Sequence, residues 1–220
     1  MDKILIIGAS GGIGSALVDA YAASGAEVDR LSRSGDGFDV TDAGSVADHL
    51  TGRGPYDRVV VATGALEIAG AAPEKTIKGL DPAVMAGQFA LNAIGPALIL
   101  SHAHHLLPRD RPAVMAVLSA RVGSIGDNRI GGWISYRAAK AAVNQIVHTA
   151  AIELARTHGQ ATVVALHPGT VATAFTDKYV GRHPAVPPQD AATNLMEVMD
   201  GLRPEQTGQF FDYSGASVPW

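Results

Sequence analysis

The chain opens with Lys3-Ile4-Leu5-Ile6-Ile7 and turns at once through Gly8-Ala9-Ser10-Gly11-Gly12-Ile13-Gly14. A run rich in β-branched residues that stops at glycines reads as a strand. Ile13 to Ala23, with Leu17, Val18 and Tyr21 on one side, reads as a helix. Strand, glycine turn and helix in that order form the start of a nucleotide-binding βαβ unit. The N–H groups of such a turn and the positive end of its helix can face a pyrophosphate. Gly8, Gly12 and Gly14 follow a G-x-x-x-G-x-G spacing rather than the strict G-x-G-x-x-G, and the missing side chains let phosphate and helix approach the turn. The same stretch also matches G-x-S-x-G, the nucleophile elbow of α/β-type serine hydrolases, with Ser10 as nucleophile. An elbow normally follows strands that supply its oxyanion loop, whereas Ser10 has one strand before it. The hydrolase is the remote alternative.

Downstream, apolar strands alternate with helices. Ala26 to Leu31, Arg58 to Ala62, Ala113 to Leu118, Ala161 to Leu166 and Gln209 to Tyr213 read as strands. Helices are expected over Ala43 to Leu50, capped by Thr41 or Asp42, over Pro82 to Leu107 with an interruption at Gly95-Pro96, from Tyr136 to about His158, and over Asp190 to Leu202. Leu66 to Gly79 is irregular, with at most a short helix. The alternation predicts an α/β fold, a Rossmann-type doubly wound parallel sheet of about seven strands with helices on both faces. Phe175 to Pro188 is polar and holds Pro184, Pro187 and Pro188, so residues 175–188 are expected to form a mobile substrate loop beside the strand ends.

A length of 220 residues suits one domain, 1–220. With 47% hydrophobic and 17% charged residues, the helices can lie close on the sheet. A formal net charge of −4 supplies no electrostatic footprint for nucleic acid or an anionic membrane, so neither is an expected partner. The absence of cysteine excludes disulfides, thiolate metal sites and a thiol nucleophile. Met1-Asp2-Lys3 runs straight into a strand too short for a signal peptide, and a cytoplasmic location is expected. Ser101-His102-Ala103-His104-His105 resembles a metal site in composition, but no further ligand lies nearby in sequence, so a solvated helix end is expected and no metal.

Chemistry enters with Trp133-Ile134-Ser135-Tyr136-Arg137-Ala138-Ala139-Lys140, where a phenol and an ammonium lie four apart on one helix face. A nearby ammonium favours phenolate and lowers a pKa that starts near about 10, which would suit Tyr136 to donate or accept a proton. Pro96 has no N–H, so it cannot donate the helical bond that the carbonyl of Asn92 would accept. That carbonyl can hold a water reaching toward Lys140, as part of a proton relay.

Taken together, the glycine loop, Tyr136 and Lys140, Leu118-Ser119-Ala120-Arg121-Val122-Gly123-Ser124-Ile125, Gly131-Gly132-Trp133 and Val218-Pro219-Trp220 resemble the short-chain dehydrogenase/reductase family, with closest likeness to its carbonyl-reductase-like and C-factor-like members. The resemblance implies an NAD(P)-dependent oxidoreductase that transfers hydride between nicotinamide and a carbonyl or secondary alcohol, with Tyr136 as general acid/base, Lys140 on the nicotinamide ribose and Asn92 as the helix asparagine. It implies cofactor contacts from Gly8, Ser10, Gly11, Gly12, Ile13 and Gly14, from Asp39-Val40 at the adenine, from Ala62-Thr63-Gly64 in place of the more usual Asn-Asn-Ala-Gly, and from Pro168-Gly169, Val171 and Thr173 at the carboxamide. Ser32-Arg33-Ser34 follows the second strand without an adjacent carboxylate, although Asp29 precedes it and Asp36 follows, so NADP(H) is expected over NAD(H). The family serine falls on Ala120, leaving Ser119, Ser124 or no serine in its place. A dinucleotide-binding regulatory or signalling protein with little turnover, which the C-factor-like resemblance keeps open, is the alternative. The alanines of the Tyr136 helix, among them Ala138, Ala141 and Ala142, suit either core packing or a homodimer or homotetramer face.

Overall fold

The computed structural model describes residues 1–174, 176 and 185–220. Six strands, β1 (Lys3–Ile7), β2 (Glu27–Leu31), β3 (Arg58–Val61), β4 (Ala113–Leu118), β5 (Ala161–His167) and β6 (Phe210–Asp212), form one parallel sheet in the order β2-β1-β3-β4-β5-β6. The sheet thus has six strands among the described residues where about seven were expected. Among the described residues no strand pairs with the outer edge of β2: the Asp39 N–H is taken by Ser45 Oγ at 3.0 Å, while Phe38 and Val40 are buried.

Alternation along the strands builds two cores. Ile4 and Ile6 of β1 meet Leu17 and Tyr21 of α1 (Gly12–Ala23) and Leu195 and Met199 of α8 (Pro188–Gly201). Leu5 and Ile7 face the other way, toward Val46 and Leu50 of helix Ala43–Leu50, Ile99 of Gly95–Leu100, and Val143 and Val147 of Ile134–Leu154. Burying each such side chain contributes about 1.5–3 kcal/mol. A one-residue slip would turn all of them to the wrong layer, so the register is strongly fixed.

The remaining helices are α2 (Arg33–Asp36), α3 (Ala43–Leu50), α4 (Pro82–Phe89), α5 (Gly95–Leu100), α6 (Ala103–Leu106) and α7 (Ile134–Leu154). As expected, Asp42 caps α3, its Oδ1 accepting from Gly44 N–H at 2.8 Å. The short α2 was not expected; Ser32 creates it by accepting from Gly35 N–H at 3.0 Å. Where one interrupted helix was expected over Pro82 to Leu107, a wide π turn at Ala90–Ile94 joins α4 to α5, and Gly95 N–H reaches back five residues to Ala90 O. Pro96 removes the donor next in line, which accounts for the ladder changing pitch there. Pro82–Leu100 is long and apolar enough to cross a membrane by length and composition, yet it carries the buried, hydrogen-bonded Gln88 and Asn92 and packs on α7.

After β5 the chain folds back on itself, Ala172 N–H donating to Val186 O at 2.9 Å and Val186 N–H to Thr170 O at 3.0 Å. Most of the expected substrate loop, Phe175 and 177–184, lies outside the described residues.

Candidate active site at the carboxyl ends of the strands

The chain leaves β1 first for β2 and then for β3 on the opposite side, which makes the crevice between the ends of β1 and β3 the topological switch point of the sheet. The glycine turn lies there. Gly8 sits at φ +92, and a Cβ on it would fall 2.8 Å from the Ala62 carbonyl; one on Gly14 would fall 2.1 Å from Gly8 O. Only glycine lets the turn lie this close to β3 and to its own helix. No side chain caps the start of α1, so its first N–H groups point into the crevice with the positive end of the helix. Thr63 Oγ1, at the edge of the same crevice, is buried with no hydrogen-bond partner among the described residues. Thr173 reaches the turn from the far side, its Cγ2 2.5 Å from the Cβ position of Gly12. An uncapped helix end, a glycine-walled turn and an orphaned hydroxyl fit a dinucleotide's diphosphate.

At the end of β2, Asp36 Oδ2 accepts from Ser32 N–H at 2.8 Å and from Ser32 Oγ at 3.2 Å. Arg33 and Ser34 are exposed beside it. Asp39 Oδ1 accepts from the backbone and hydroxyl of Thr41 at 2.9 and 2.7 Å. The Thr41 hydroxyl, then its N–H, hold the carboxyl below the usual range, and Arg33 adds in the same direction.

Tyr136 and Lys140 lie one turn apart on α7, 5% and 3% exposed. The Lys140 ammonium donates to Leu118 O at 3.0 Å and stands 5.9 Å from the Tyr136 ring centroid. The expected lowering of the phenol by this ammonium is not met: burial pushes Tyr136 above the ordinary tyrosine range and pushes Lys140 down to about 8. Desolvation wins because both groups are enclosed and the ammonium is turned to a backbone carbonyl. Asn92 stands beside them: a Cβ on Gly64 would lie 2.8 Å from Asn92 Oδ1 and 3.5 Å from Lys140 Nζ. The Asn92 amide is locked, Oδ1 accepting from Ala65 N–H at 3.2 Å and Nδ2 donating to Ala65 O at 2.9 Å and Gln88 Oε1 at 2.6 Å.

The hydroxyls of both serines near Ala120 take part in hydrogen bonds. The Ser119 hydroxyl donates to Asn144 Oδ1 at 2.6 Å inside the core, and Ser124 Oγ accepts from Asp127 N–H at 3.1 Å. Beyond them, Arg121 pairs with Asp127 at 2.5 Å and lies 3.8 Å from Asp212. His167 ends β5, and burial, partly opposed by Asp212, pushes its imidazole down to about 4. The three histidines around α6 form no metal-binding group among the described residues.

The entry into α7 has no counterpart in the sequence reading. Gly131, Gly132 and Trp133 are consecutively left-handed, at φ 68, 68 and 54. For a bulky residue such as Trp133 that conformation costs on the order of 1–3 kcal/mol and persists where surroundings hold it. Glu74, 61 residues away in sequence from Ser135, supplies the hold. Its carbonyl accepts from Trp133 N–H at 2.5 Å, and its carboxylate accepts from the Ser135 hydroxyl and, at 3.4 Å, from Ser135 N–H. Glu74 was missed because no local pattern announces a cap brought from so far away. Gln88 was legible in principle, four residues before Asn92.

Fold, switch-point turn and buried tyrosine–lysine pair define a dinucleotide-binding α/β protein with acid–base groups at the strand ends. The family model for short chain dehydrogenase matches residues 39–182. C-signal of Myxococcus xanthus is 39% identical over 144 residues, 64% of this chain and 81% of that protein. The 1-hydroxy-2-glutathionyl-2-methyl-3-butene dehydrogenase of Rhodococcus sp. (strain AD45) is 30% identical over 235 aligned positions that span both chains fully. Among solved structures, the NADPH-bound carbonyl reductase from chicken fatty liver superposes with a TM-score of 0.81 at 22% identity, covering 100% of this chain and 99% of that one. Carbonyl reductase Sniffer of D. melanogaster gives 0.80 at 19% identity, covering both chains fully. The chain belongs to the short-chain dehydrogenase/reductase family and is an NAD(P)-dependent oxidoreductase. Membership leaves no elbow role for Ser10, which stays with the glycine turn.

Proposed function

We propose that the enzyme reduces a small-molecule carbonyl, or oxidises the corresponding secondary alcohol, with NADP(H) preferred over NAD(H) and Tyr136 as general acid/base. The observation that carries this reading is the enclosed Tyr136–Lys140 pair set beside Asn92 and Gly64 at the mouth of the nucleotide crevice. Bound nicotinamide supplies or takes the hydride. Tyr136 gives its proton to the developing alkoxide, or takes it in the reverse direction; burial raises its pKa and so keeps it in the protonated form from which donation starts. Lys140 holds the ribose, and its depressed pKa makes it a ready proton carrier behind the tyrosine. Asn92 anchors the relay. Gly8 to Gly14 receive the diphosphate, Asp39-Val40 and Ala62 to Gly64 the adenosine side, and Pro168, Gly169, Val171 and Thr173 the carboxamide.

The NADP(H) preference rests on exposed Arg33 beside the end of β2, while one oxygen of the nearest carboxylate, Asp36, is turned onto Ser32. Comparing kcat/KM for NADPH and NADH, in the parent enzyme and in Arg33→Ala, tests it: the parent favours NADPH and the variant loses most of that preference. An NADH preference surviving the substitution rejects the assignment.

One observation favours a second reading. With alanine at 120 and the Ser119 proton committed to Asn144, neither residue of the family's serine pair offers a free O–H to the substrate oxygen, which suits a dinucleotide-responsive signalling protein with little turnover. The likeness to C-signal points the same way. NADPH titration together with a screen of aldehydes, ketones and quinones separates the two, because the signalling reading requires binding without turnover. A homodimer or homotetramer built on the partly exposed alanines of α7, Ala138, Ala141 and Ala142, suits either reading and is checked by sedimentation.

A further inference from the structure

The helix that carries Tyr136 begins badly by its own means. No side chain of its own caps α7, and the chain enters through left-handed Trp133. What holds the first turn is a residue from the irregular segment between β3 and α4. Glu74 is 8% exposed and spans Trp133 and Ser135 with three hydrogen bonds, and Ser135, 1% exposed, immediately precedes Tyr136. Beside it the Cβ position of Gly132 falls 3.4 Å from Lys75 O, so the segment lies flat against the helix entry. Further back, the same segment is fastened at Ala65 by Asn92 and at Leu66 by Gln88. One stretch of chain is therefore bolted at one end to the asparagine of the relay and at the other to the turn that aims the phenol.

We infer that Glu74 is a positioning residue for the reaction: its carboxylate, through Ser135, and its carbonyl, through the Trp133 N–H, set where the Tyr136 hydroxyl stands. The inference rests on Tyr136 being the acid/base. A carboxylate at the start of a helix stabilises the helix.

The test uses the full chain with NADPH and para-nitrobenzaldehyde, measuring kcat, KM, NADPH Kd and Tm for Glu74→Ala, Glu74→Gln, Ser135→Ala and Tyr136→Phe. A misplaced reacting group of about 1 Å costs roughly 100-fold, so Glu74→Ala should lose about tenfold or more in kcat, with NADPH Kd within about twofold. Glu74→Gln keeps an acceptor for Ser135, so it should recover most of kcat where Glu74→Ala does not. If Glu74→Ala does not fold, Glu74→Gln and Ser135→Ala carry the comparison. Tyr136→Phe should abolish turnover. If it does while kcat of Glu74→Ala, or of Ser135→Ala where Glu74→Ala does not fold, stays at the parent value, whatever its Tm, the positioning role is overturned and the Tyr136 reading stands. If Tyr136→Phe turns over normally, the Tyr136 reading fails and this inference with it.

Discussion

At Ala120 one methyl group stands where the family resemblance puts a hydroxyl, and the hydroxyls on either side of it are held differently. Ser119 faces α7 and donates to Asn144, while Ser124 closes the short turn after it by accepting from Asp127. Ala120 itself is extended, at φ −146 and ψ 145, a conformation serine adopts freely. Ala120→Ser is therefore expected to fold as the parent does and to raise kcat. A hydrogen bond to developing oxyanion charge is commonly worth about 100-fold when removed, so a gain of about tenfold is a conservative expectation for one added without further adjustment. Turnover of para-nitrobenzaldehyde with NADPH checks it, and unchanged or reduced kcat would mean that position 120 does not face the substrate oxygen. Sequence alone exposed this gap by counting back from Gly123, because spacing along a strand end is a local property. It did not decide between Ser119 and Ser124, because their partners lie on α7 and on the turn beyond.

At the scale of elements, what was legible is what local periodicity controls. Lys3–Ile7, Arg58–Val61, Ala113–Leu118 and Ala161–His167 sit within a residue of where their apolar runs placed them, since a strand buried on both faces tolerates little else. The four-residue α2 was invisible because one cap, Ser32, makes it. The π turn was half legible: Pro96 predicts a lost donor, but whether the helix kinks or widens depends on what packs on it. Here Asn92 lies inside the wide turn with its amide pinned to Ala65 and Gln88. Pro96→Ala restores an N–H to which the Asn92 carbonyl can bond, which favours an ordinary α pitch and draws Asn92 away from those partners. The expected result is a fall in kcat of about tenfold with NADPH Kd within about twofold and Tm no lower than the parent's. Unchanged turnover would count against a role for this turn in the relay.

Across the whole molecule, the buried titratable groups couple the site to pH stability, and their signs can be worked through. His167 takes up its proton at about 4 when folded and at 6.5 when free, because burial disfavours the imidazolium, while Asp212 opposes that and Arg121 adds to it. Between those values the unfolded chain binds the extra proton, so stability rises with pH across that window, by at most about 1.4 kcal/mol per pH unit for one site. Below it Asp57 and Asp212, both held under the usual carboxylate range, lose their contribution as pH falls through their folded values. On the alkaline side Lys140, folded at about 8 against 10.5 when free, again binds its proton more weakly in the fold and adds stability as pH climbs between the two. Tyr136 works in the opposite sense above about 10, where the unfolded phenol ionises and the buried one does not. The molecule should therefore be most stable at mildly alkaline pH, on the side where its proposed catalytic lysine is shedding its proton. Urea midpoints followed from pH 4 to 7 isolate the histidine. The parent midpoint climbs across that range, and His167→Gln, which cannot titrate, climbs less steeply; parallel curves would mean that the imidazole finds water or a partner in solution and is not held neutral by the fold.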